Sequence, residues 1–485
     1  MNRRILILVC VLLVVFGWFK PAQAADDLES DAALVLELMD LMHEYHLNNP
    51  DADTLTNGAI QGLLDSLEDP YADYFSADTL KDYIDSLNGY LEGIGIEILA
   101  GEQYPCVYSV IPGTPAAKSG IMAGDIIVAV DGKSTVGWTL ADVVEKIKGP
   151  SGSVVVLTIQ RGEDDSLDVD LKRADIHLPS VHQEMLAGQT GYINLTFFGS
   201  DTGREFNKAV RDLKAAGMTS LIIDLRNNGG GYAQEAVDII GDFVAKDTLA
   251  VSTVDRQGNR EEVRTWDKPV ADSLPVVVIV NELSASASEL LAGALQDYKI
   301  ASLVGTATFG KGVVQTIIPL SSGGALKMTV FKYLTPAGQD IDSVGLTPDH
   351  YVFTWELQKE VAWQTLHPEH MPRLTFDLAT GRTTLNDRVL EINIKARIKD
   401  GAYMLPLRPV LEAMFYQVFW QDGVIKVFAG QKEVWRANLP KGGTGGQSDI
   451  IVQDGVSYLS ENILRQLNID ISKEESKITL TRSMQ

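Results

Sequence analysis

The stretch that decides the reading of this chain is Pro275-Val276-Val277-Val278-Ile279-Val280-Asn281-Glu282-Leu283-Ser284-Ala285-Ser286-Ala287-Ser288-Glu289. Val276 to Val280 is an unbroken apolar, β-branched run, the pattern of a buried strand. Asn281-Glu282-Leu283 is a polar turn, and Leu290-Leu291-Ala292-Gly293-Ala294-Leu295 reads as a helix rich in small residues. A buried strand that turns sharply into a helix holds the first helical side chains at the carboxyl edge of a sheet. Helix N–H groups without intrahelical partners favour negative charge there. A serine in that place attacks a carbonyl if a base takes its proton and nearby N–H groups hold the oxyanion. Ser286 is therefore the candidate nucleophile. The candidate base follows in Gly310-Lys311-Gly312, with Gln315 four residues beyond Lys311. No histidine lies between Pro275 and Pro319, so the site reads as a Ser-Lys arrangement.

The same region holds a false lead. Gly305 to Lys311 fits the phosphate-cradling GxxxxGK pattern, but the next residue is Gly312 where Ser or Thr should ligate magnesium. Val313 to Pro319 then looks like a strand, whereas a phosphate loop opens a helix. Nucleotide binding is not expected.

Upstream, strands and helices alternate through Tyr192–Asp349. Tyr192 to Leu195 reads as a strand, Asp201 to Ala216 as a helix, and Ser220 to Leu225 as a buried strand. That strand runs into Arg226-Asn227-Asn228-Gly229-Gly230-Gly231, and a helix follows from Tyr232 to Val244. Strand, glycine turn and helix place backbone N–H groups at the carboxyl edge, where sites form in open α/β sheets. Ser286 enters from the next strand–helix junction. The meeting of the two junctions couples Gly230 and Gly231, as oxyanion donors, to Ser286.

The 485 residues suffice for three or four domains, at about 100–200 residues each. A hydrophobic fraction of 45 % with 22 % charged residues describes a globular protein with ample core. At the N-terminus, Arg3 and Arg4 precede an apolar run from Ile5 to Phe19, then Pro21 and Ala22-Gln23-Ala24. This is the plan of a secretory signal over residues 1–24. The run is 15 residues long, short of the roughly 20 of a membrane span; an uncleaved anchor is the alternative. Cleavage after Ala24 removes Arg3, Arg4 and Lys20 and takes the net charge from −24 to −27. Such a surface argues against nucleic acid and anionic membrane as partners. Of the two cysteines, Cys10 leaves with the signal, so the mature chain has no intramolecular disulfide. Cys106 reads as a small core residue.

Residues 28 to 87 read as helical, with Leu34, Leu38, Leu41 and Met42 on one face and a break at Asp69-Pro70 before a second piece, Ala77 to Leu87. Packing or homodimer contact is the expected role. Residues 89–173 change character. Gly93-Ile94-Gly95-Ile96 alternates glycine with isoleucine, Val107 to Val110 is a strand, and Gly113 to Ala117 turns into a short helix. Gly124 to Gly132 is a strand ending at an Asp-Gly turn, Thr139 to Ile147 an amphipathic helix, and Val154 to Ile159 a last strand. Order and spacing resemble a PDZ domain. The resemblance implies that the loop at Gly93, Ile94, Gly95 and Ile96 offers N–H groups to a peptide's terminal carboxylate. The peptide would add as a strand beside Thr139 to Ile147.

Asp224-Leu225-Arg226-Asn227-Asn228-Gly229-Gly230-Gly231, Ser284 to Glu289, and Phe309-Gly310-Lys311-Gly312-Val313-Val314-Gln315 resemble the C-terminal-processing (tail-specific) serine proteases. Tyr333 to Gly338, Gly345 to Asp349 and Asp69-Pro70-Tyr71 match as well, and the resemblance spans Leu28 to Phe353. It implies that Ser286 is the nucleophile, Lys311 the base and Gln315 the residue that orients the lysine. Oxyanion donors carry over to Gly231, Gly230 and Ala287. Gly229 departs from the proline of many members. A lysine has an unperturbed pKa near about 10.4 and serves as a base at neutral pH only if burial lowers it. Phe309, Val313 and Val314 are expected to provide that burial. Ser284 and Ser288 read as capping or packing hydroxyls.

Beyond Trp355 the chain changes again. Residues 356–383 read as a helix and linker, with His367 and His370 as solvated linker histidines. Met404 to Ala413, Val418 to Trp420 and Val424 to Val427 resemble the stalk-type domain named for copper amine oxidase N-termini, and Ser457 to Leu459 with Ile478 to Leu480 resemble a second partial copy. No His or Cys follows His370, so no copper site is expected there. Lys441 to Gly446 is a flexible loop. The resemblance implies contact with an envelope-anchored partner.

The expected fold is an α/β protease core, an open mixed sheet with flanking helices, carrying an inserted PDZ domain. A helical N-terminal region (25–88) precedes the PDZ domain (89–173) and the core (174–355). An α+β domain (384–485) ends the chain. The expected function is an extracytoplasmic serine endopeptidase that takes protein substrates with free C-termini and needs no cofactor or metal. The rival is a non-catalytic envelope adaptor that binds C-terminal tails. Intact Ser286, Lys311, Gln315 and glycine loop favour the protease, because a pure binder has no use for them.

Overall fold

The computed structural model describes residues 25–101, 103–162, 166–321, 323–391, 395–399, 402–438, 449–453 and 455–482. The expected secretory segment and the glycine-rich loop at 441–446 lie outside them. The described residues form two compact units, one ending at Ala77 and including Gln315–Thr329, the other comprising Asp78–Val314 and Val330 onward.

In the first unit the helical stretch is two helices, Ala25–Tyr45 and Ala52–Asp65. They part at Asn49-Pro50, where Asn49 is left-handed (φ 45°) and proline disfavours helix in the residue before it. Asp51 then caps the second helix by accepting from the Thr54 N–H. Strand Asp73–Phe75 pairs antiparallel with Ala325–Lys327. Leu34, Leu38, Leu41 and Met42 all remain exposed.

The second unit is built on a six-stranded sheet: β1 (Val181–Leu186), β2 (Thr190–Leu195), β3 (Ser220–Asp224), β4 (Val276–Val280), β5 (Ala301–Gly305) and β6 (His350–Tyr351), side by side in that order. β1 is antiparallel to β2 and the remaining pairs are parallel. Successive side chains of a strand point to opposite faces, and the two faces have different covers. Leu221, Ile223, Val276, Val278 and Val280 pack against helices α1 (Thr202–Ala215), α2 (Ala233–Gly241) and α3 (Ala287–Asp297). Ile222, Val277, Ile279 and Val304 face the other way, into one apolar cluster with α4 (Trp355–Leu366) and the C-terminal domain.

The PDZ segment has its own core, including Ile94, Val107, Ile127, Leu157 and Leu171. Its strands lie in the order Ile96–Leu99, Cys106–Val110, Ile126–Val130, Val154–Gln160 and Leu167–Lys172, so Ile96–Leu99 is an edge strand. Val154–Gln160 is not the last strand; Leu167–Lys172 follows it. Thr139 caps helix Leu140–Ile147 through a reciprocal box with Asp142. The domain leaves the core through an antiparallel stem, Tyr90–Gly93 against Ala174–His177, that ends with Gly93 opposite Ala174.

The C-terminal domain repeats one order of elements: strand Ala402–Pro406, helix α5 (Leu407–Ala413), strands Gln417–Gln421 and Val424–Ala429, then strand Val456–Ser460, helix Glu461–Gln466, strands Asp470–Glu474 and Lys477–Thr481. The leading strands of the two repeats pair with each other. The stretch read as a linker is structured. Arg373–Asp377 and Thr383–Leu385 are strands, and the first pairs with Lys477–Thr481.

Candidate active site

β4 is buried at every residue and ends in a tight turn at Asn281 to Ala285. Ser286, the next residue, has φ 56° and ψ −115°, a backbone region that non-glycine residues rarely occupy, and it stands directly before α3. Surrounding bonds hold it there. Its N–H donates to Glu289 Oε2 at 2.9 Å and its carbonyl accepts from Tyr333 Oη at 3.2 Å.

The glycine turn after β3 lies against this junction. A Cβ on Gly230 would come within 2.9 Å of Ser286 Cβ and 2.8 Å of the Ala285 carbonyl, so only glycine permits the approach. The flanking serines lock the two segments together. Ser284 Oγ donates to Leu225 O at 2.8 Å and Ser288 Oγ to Asn228 O at 2.9 Å, as expected of packing hydroxyls. One expectation is corrected here. The Gly230 N–H donates to Asn228 Oδ1 at 2.9 Å, so it is engaged and does not face an oxyanion. Gly231 has φ 142°, with the Phe198 carbonyl 2.2 Å from where its Cβ would sit. Ala287 opens α3, where helix N–H groups lack intrahelical acceptors.

Lys311 reaches the site through Glu289. That carboxylate is fully buried and accepts from the N–H of Gly310 (2.7 Å), the N–H of Lys311 (2.9 Å) and Thr308 Oγ1 (2.5 Å), besides that of Ser286. Ser286 and Lys311 thus donate their backbone N–H groups to the same oxygen. Gly310 (φ 87°) lets the lysine loop pass the Val344 and Gly345 amides, each 2.8 Å from a Cβ placed there. Lys311 is half-buried, and Val313 and Val314 are buried or partly so, but Phe309 is 54 % exposed. Val313–Pro319 is a strand, which removes the phosphate-loop reading. Gln315 lies on it, four residues past Lys311, and belongs to the first unit. There its amide donates to Thr329 Oγ1 at 3.4 Å, and Thr329 in turn donates to Asp69.

Glu289 went unassigned in the sequence. Its signal was present: an acidic residue three positions after a serine at a helix start is the capping-box spacing. Arg226 was likewise unassigned. It grips Asp224 at 2.6 Å, stacks on Trp355 at 3.9 Å and donates to the Gln358 side chain, tying the glycine turn to α4.

In the PDZ domain, Gly93 sits in the stem rather than in a carboxylate-binding loop, and the Ile94 side chain is core. Gly95 (φ 86°) faces Thr114, which leaves no room for a Cβ, and Ile96 opens the edge strand.

A strained serine at a strand–helix junction of an open α/β sheet, with a PDZ domain inserted ahead of it, defines a hydrolytic enzyme of the serine type. Comparison with known proteins agrees. Residues 189–352 match the model of peptidase family S41, residues 106–161 that of the PDZ domain, and residues 20–79 that of the activating protease CtpB N-terminal domain. The chain is similar to a carboxy-terminal-processing protease of Bartonella bacilliformis, 39 % identical over 64 % of this chain and 73 % of that one. It is also similar to the carboxy-terminal processing protease CtpB of Bacillus subtilis, 36 % identical over 68 % of this chain and 69 % of that one. Among solved structures, the photosystem II D1 C-terminal processing protease matches at 30 % identity with a TM-score of 0.43, covering 68 % of this chain and 94 % of that one. The chain belongs to peptidase family S41, the carboxy-terminal-processing proteases, and is a serine-type endopeptidase.

Proposed function

We propose that the enzyme cleaves extracytoplasmic proteins through an acyl-enzyme on Ser286, with Lys311 as general base, and that its PDZ domain recruits substrates by their free C-termini. The observation that carries the dyad is the shared Glu289 oxygen, which sets the two backbones two hydrogen bonds apart. Neutral Lys311 takes the Ser286 proton as the hydroxyl attacks the scissile carbonyl, then returns it to the leaving amine. The N–H groups of Gly231 and Ala287 receive the developing oxyanion, and water releases the acyl group. The open edge strand Ile96–Leu99 supports capture of a tail by strand addition, with Gly95 and Ile96 at the carboxylate. The signal-like residues 1–24 support export. The C-terminal repeats, similar to the copper amine oxidase N-terminal type, serve contact rather than chemistry.

Ser286→Ala and Lys311→Ala are each expected to abolish cleavage of an unfolded protein substrate while leaving the circular dichroism spectrum unchanged, because the two groups act as a unit. Near-normal turnover by either variant excludes the dyad.

A further inference from the structure

At the end of the sheet opposite Ser286, where α4 gives way to the C-terminal strands, three ligand-type side chains converge. Glu369 Oε1 lies 3.2 Å from His367 Nδ1 and 3.0 Å from His370 Nδ1, and the three ligand atoms all fall within 4.8 Å of one another. We propose that His367, Glu369 and His370 bind one divalent transition-metal ion of the zinc type. Zinc bonds of about 2.0–2.1 Å to nitrogen and oxygen make the edge of a coordination tetrahedron about 3.3 Å. The carboxylate oxygen already stands at that separation from both imidazoles. Two imidazoles and one carboxylate suit zinc, cobalt, nickel or copper rather than calcium or magnesium.

His367 is not the solvated linker residue that its sequence context suggests. Its side chain is 12 % exposed and lies on the Trp363 ring at 4.4 Å between centroids. The turn between β1 and β2 makes room for it: a Cβ on Gly188 would come within 2.9 Å of His367 Cε1. Its Nε2 is 2.7 Å from Thr190 Oγ1, which stands 3.1 Å from Ser220 Oγ. A metal-ligating histidine typically donates its other N–H to an oxygen, which fixes the tautomer and ring orientation. With Nε2–H donating to Thr190, the Nδ1 lone pair points at the Glu369 carboxylate. Two electron-rich atoms at 3.2 Å require a cation between them, either a proton or a metal. The Gln364 amide gathers the turn further by donating to the His367 carbonyl at 2.9 Å and to that of His370.

Thr190 is the first residue of β2, so the ion would fasten the turn leaving α4 to the amino edge of the sheet, away from the nucleophile. It is a structural site, with coordination positions left for water.

The test uses the full chain, stripped with a chelator and titrated with zinc by calorimetry and with cobalt by visible absorption. One ion per chain is expected, with zinc displacing cobalt and raising the unfolding temperature. His370 is 55 % exposed, so His370→Ala retains the fold and is expected to weaken binding by at least tenfold, as is Glu369→Gln. Thr190→Val, which touches no ion, is expected to weaken it by about 10–100-fold. No stoichiometric uptake of zinc or cobalt, or equal affinity in wild type, His370→Ala and Glu369→Gln, would overturn the proposal and leave a proton as the shared cation.

Discussion

The PDZ domain buries Ile94, Val107, Ile127, Leu157 and Leu171 among its own strands and meets the rest of its unit at a two-stranded stem. The C-terminal domain buries Val410, Leu411, Ile425 and Leu464 in the same cluster as Ile222, Val277, Ile279 and Val304 of the catalytic sheet. Polar bonds reinforce that union. Glu412, fully buried, accepts the N–H groups of Phe353 and Thr354 at 3.0 Å each, and Gln417 Oε1 accepts that of Tyr351 at 3.1 Å. An inserted domain with a private core can be removed at its stem. A domain whose apolar core is continuous with another's cannot.

The largest effect expected from this contrast is on truncation. Ending the chain at Leu366 leaves α4 on the second face of the sheet but removes the C-terminal side of the apolar cluster that α4 joins, at about 1.5–3 kcal/mol for each large side chain uncovered. That exceeds a domain's usual net stability of about 5–15 kcal/mol once several are lost. The truncated protein is expected to show no cooperative unfolding. Replacing residues 94–173 by a short glycine link, which leaves Gly93 and Ala174 paired, is expected to shift the melting temperature of the remainder by less than about 4 °C. Equal damage from both deletions would erase the distinction.

Single substitutions sharpen it. Glu412→Ala strands two N–H groups at about 1–3 kcal/mol each and should lower the main calorimetric transition. Asp125 is the matching residue in the PDZ domain, 1 % exposed and bound to Arg161 at 2.7 and 2.8 Å and to the Met122 N–H. Asp125→Ala is expected to destabilise only the PDZ transition, leaving cleavage of an unfolded substrate with an amidated C-terminus within twofold of wild type.

A smaller effect concerns pH. His350 on β6 packs at a tilt against Phe415 of the C-terminal domain, and burial holds its pKa down, from 6.5 to about 4. Between those values the unfolded chain binds the proton and the folded one does not, so stability is full above pH 6.5 and is lost as pH falls toward 4. His350→Gln is expected to flatten that part of the stability profile in thermal melts between pH 4 and 7, and an unchanged slope would mean that His350 does not titrate against this packing.

The regular elements of the catalytic sheet were legible because their signals are local. Val276 to Val280 is a strand at the expected residues, and the amphipathic pattern from Thr139 to Ile147 marked the PDZ helix. The meeting of Ser286 and the glycine turn at neighbouring strand–helix junctions was legible because short motifs carry them. What was not legible depends on contacts between distant residues. An unbroken apolar strand requires two covers, but nothing in Val276 to Val280 says that α4 supplies the second and that residues beyond 400 join the same cluster. The Gly230 N–H looked available until Asn228 turned back to take it. Phe309 looked like a wall for Lys311 and proved exposed, since an apolar neighbour in sequence has no fixed direction. His367 looked like part of a solvated linker because its partners, Gly188 and Thr190, lie in another element.

The central claim is that Ser286 is acylated with help from Lys311 across the Glu289 bridge. It is tested most directly by mixing the enzyme with an activated peptide ester and following acyl-enzyme formation by intact mass, with the modified residue located by peptide mapping. The expected result is one acyl group on Ser286 in the wild type and none in Ser286→Ala. In Lys311→Ala acylation should slow by about 10²–10⁴-fold, the worth of a general base. Acylation at another residue, or at the wild-type rate without Lys311, would contradict it.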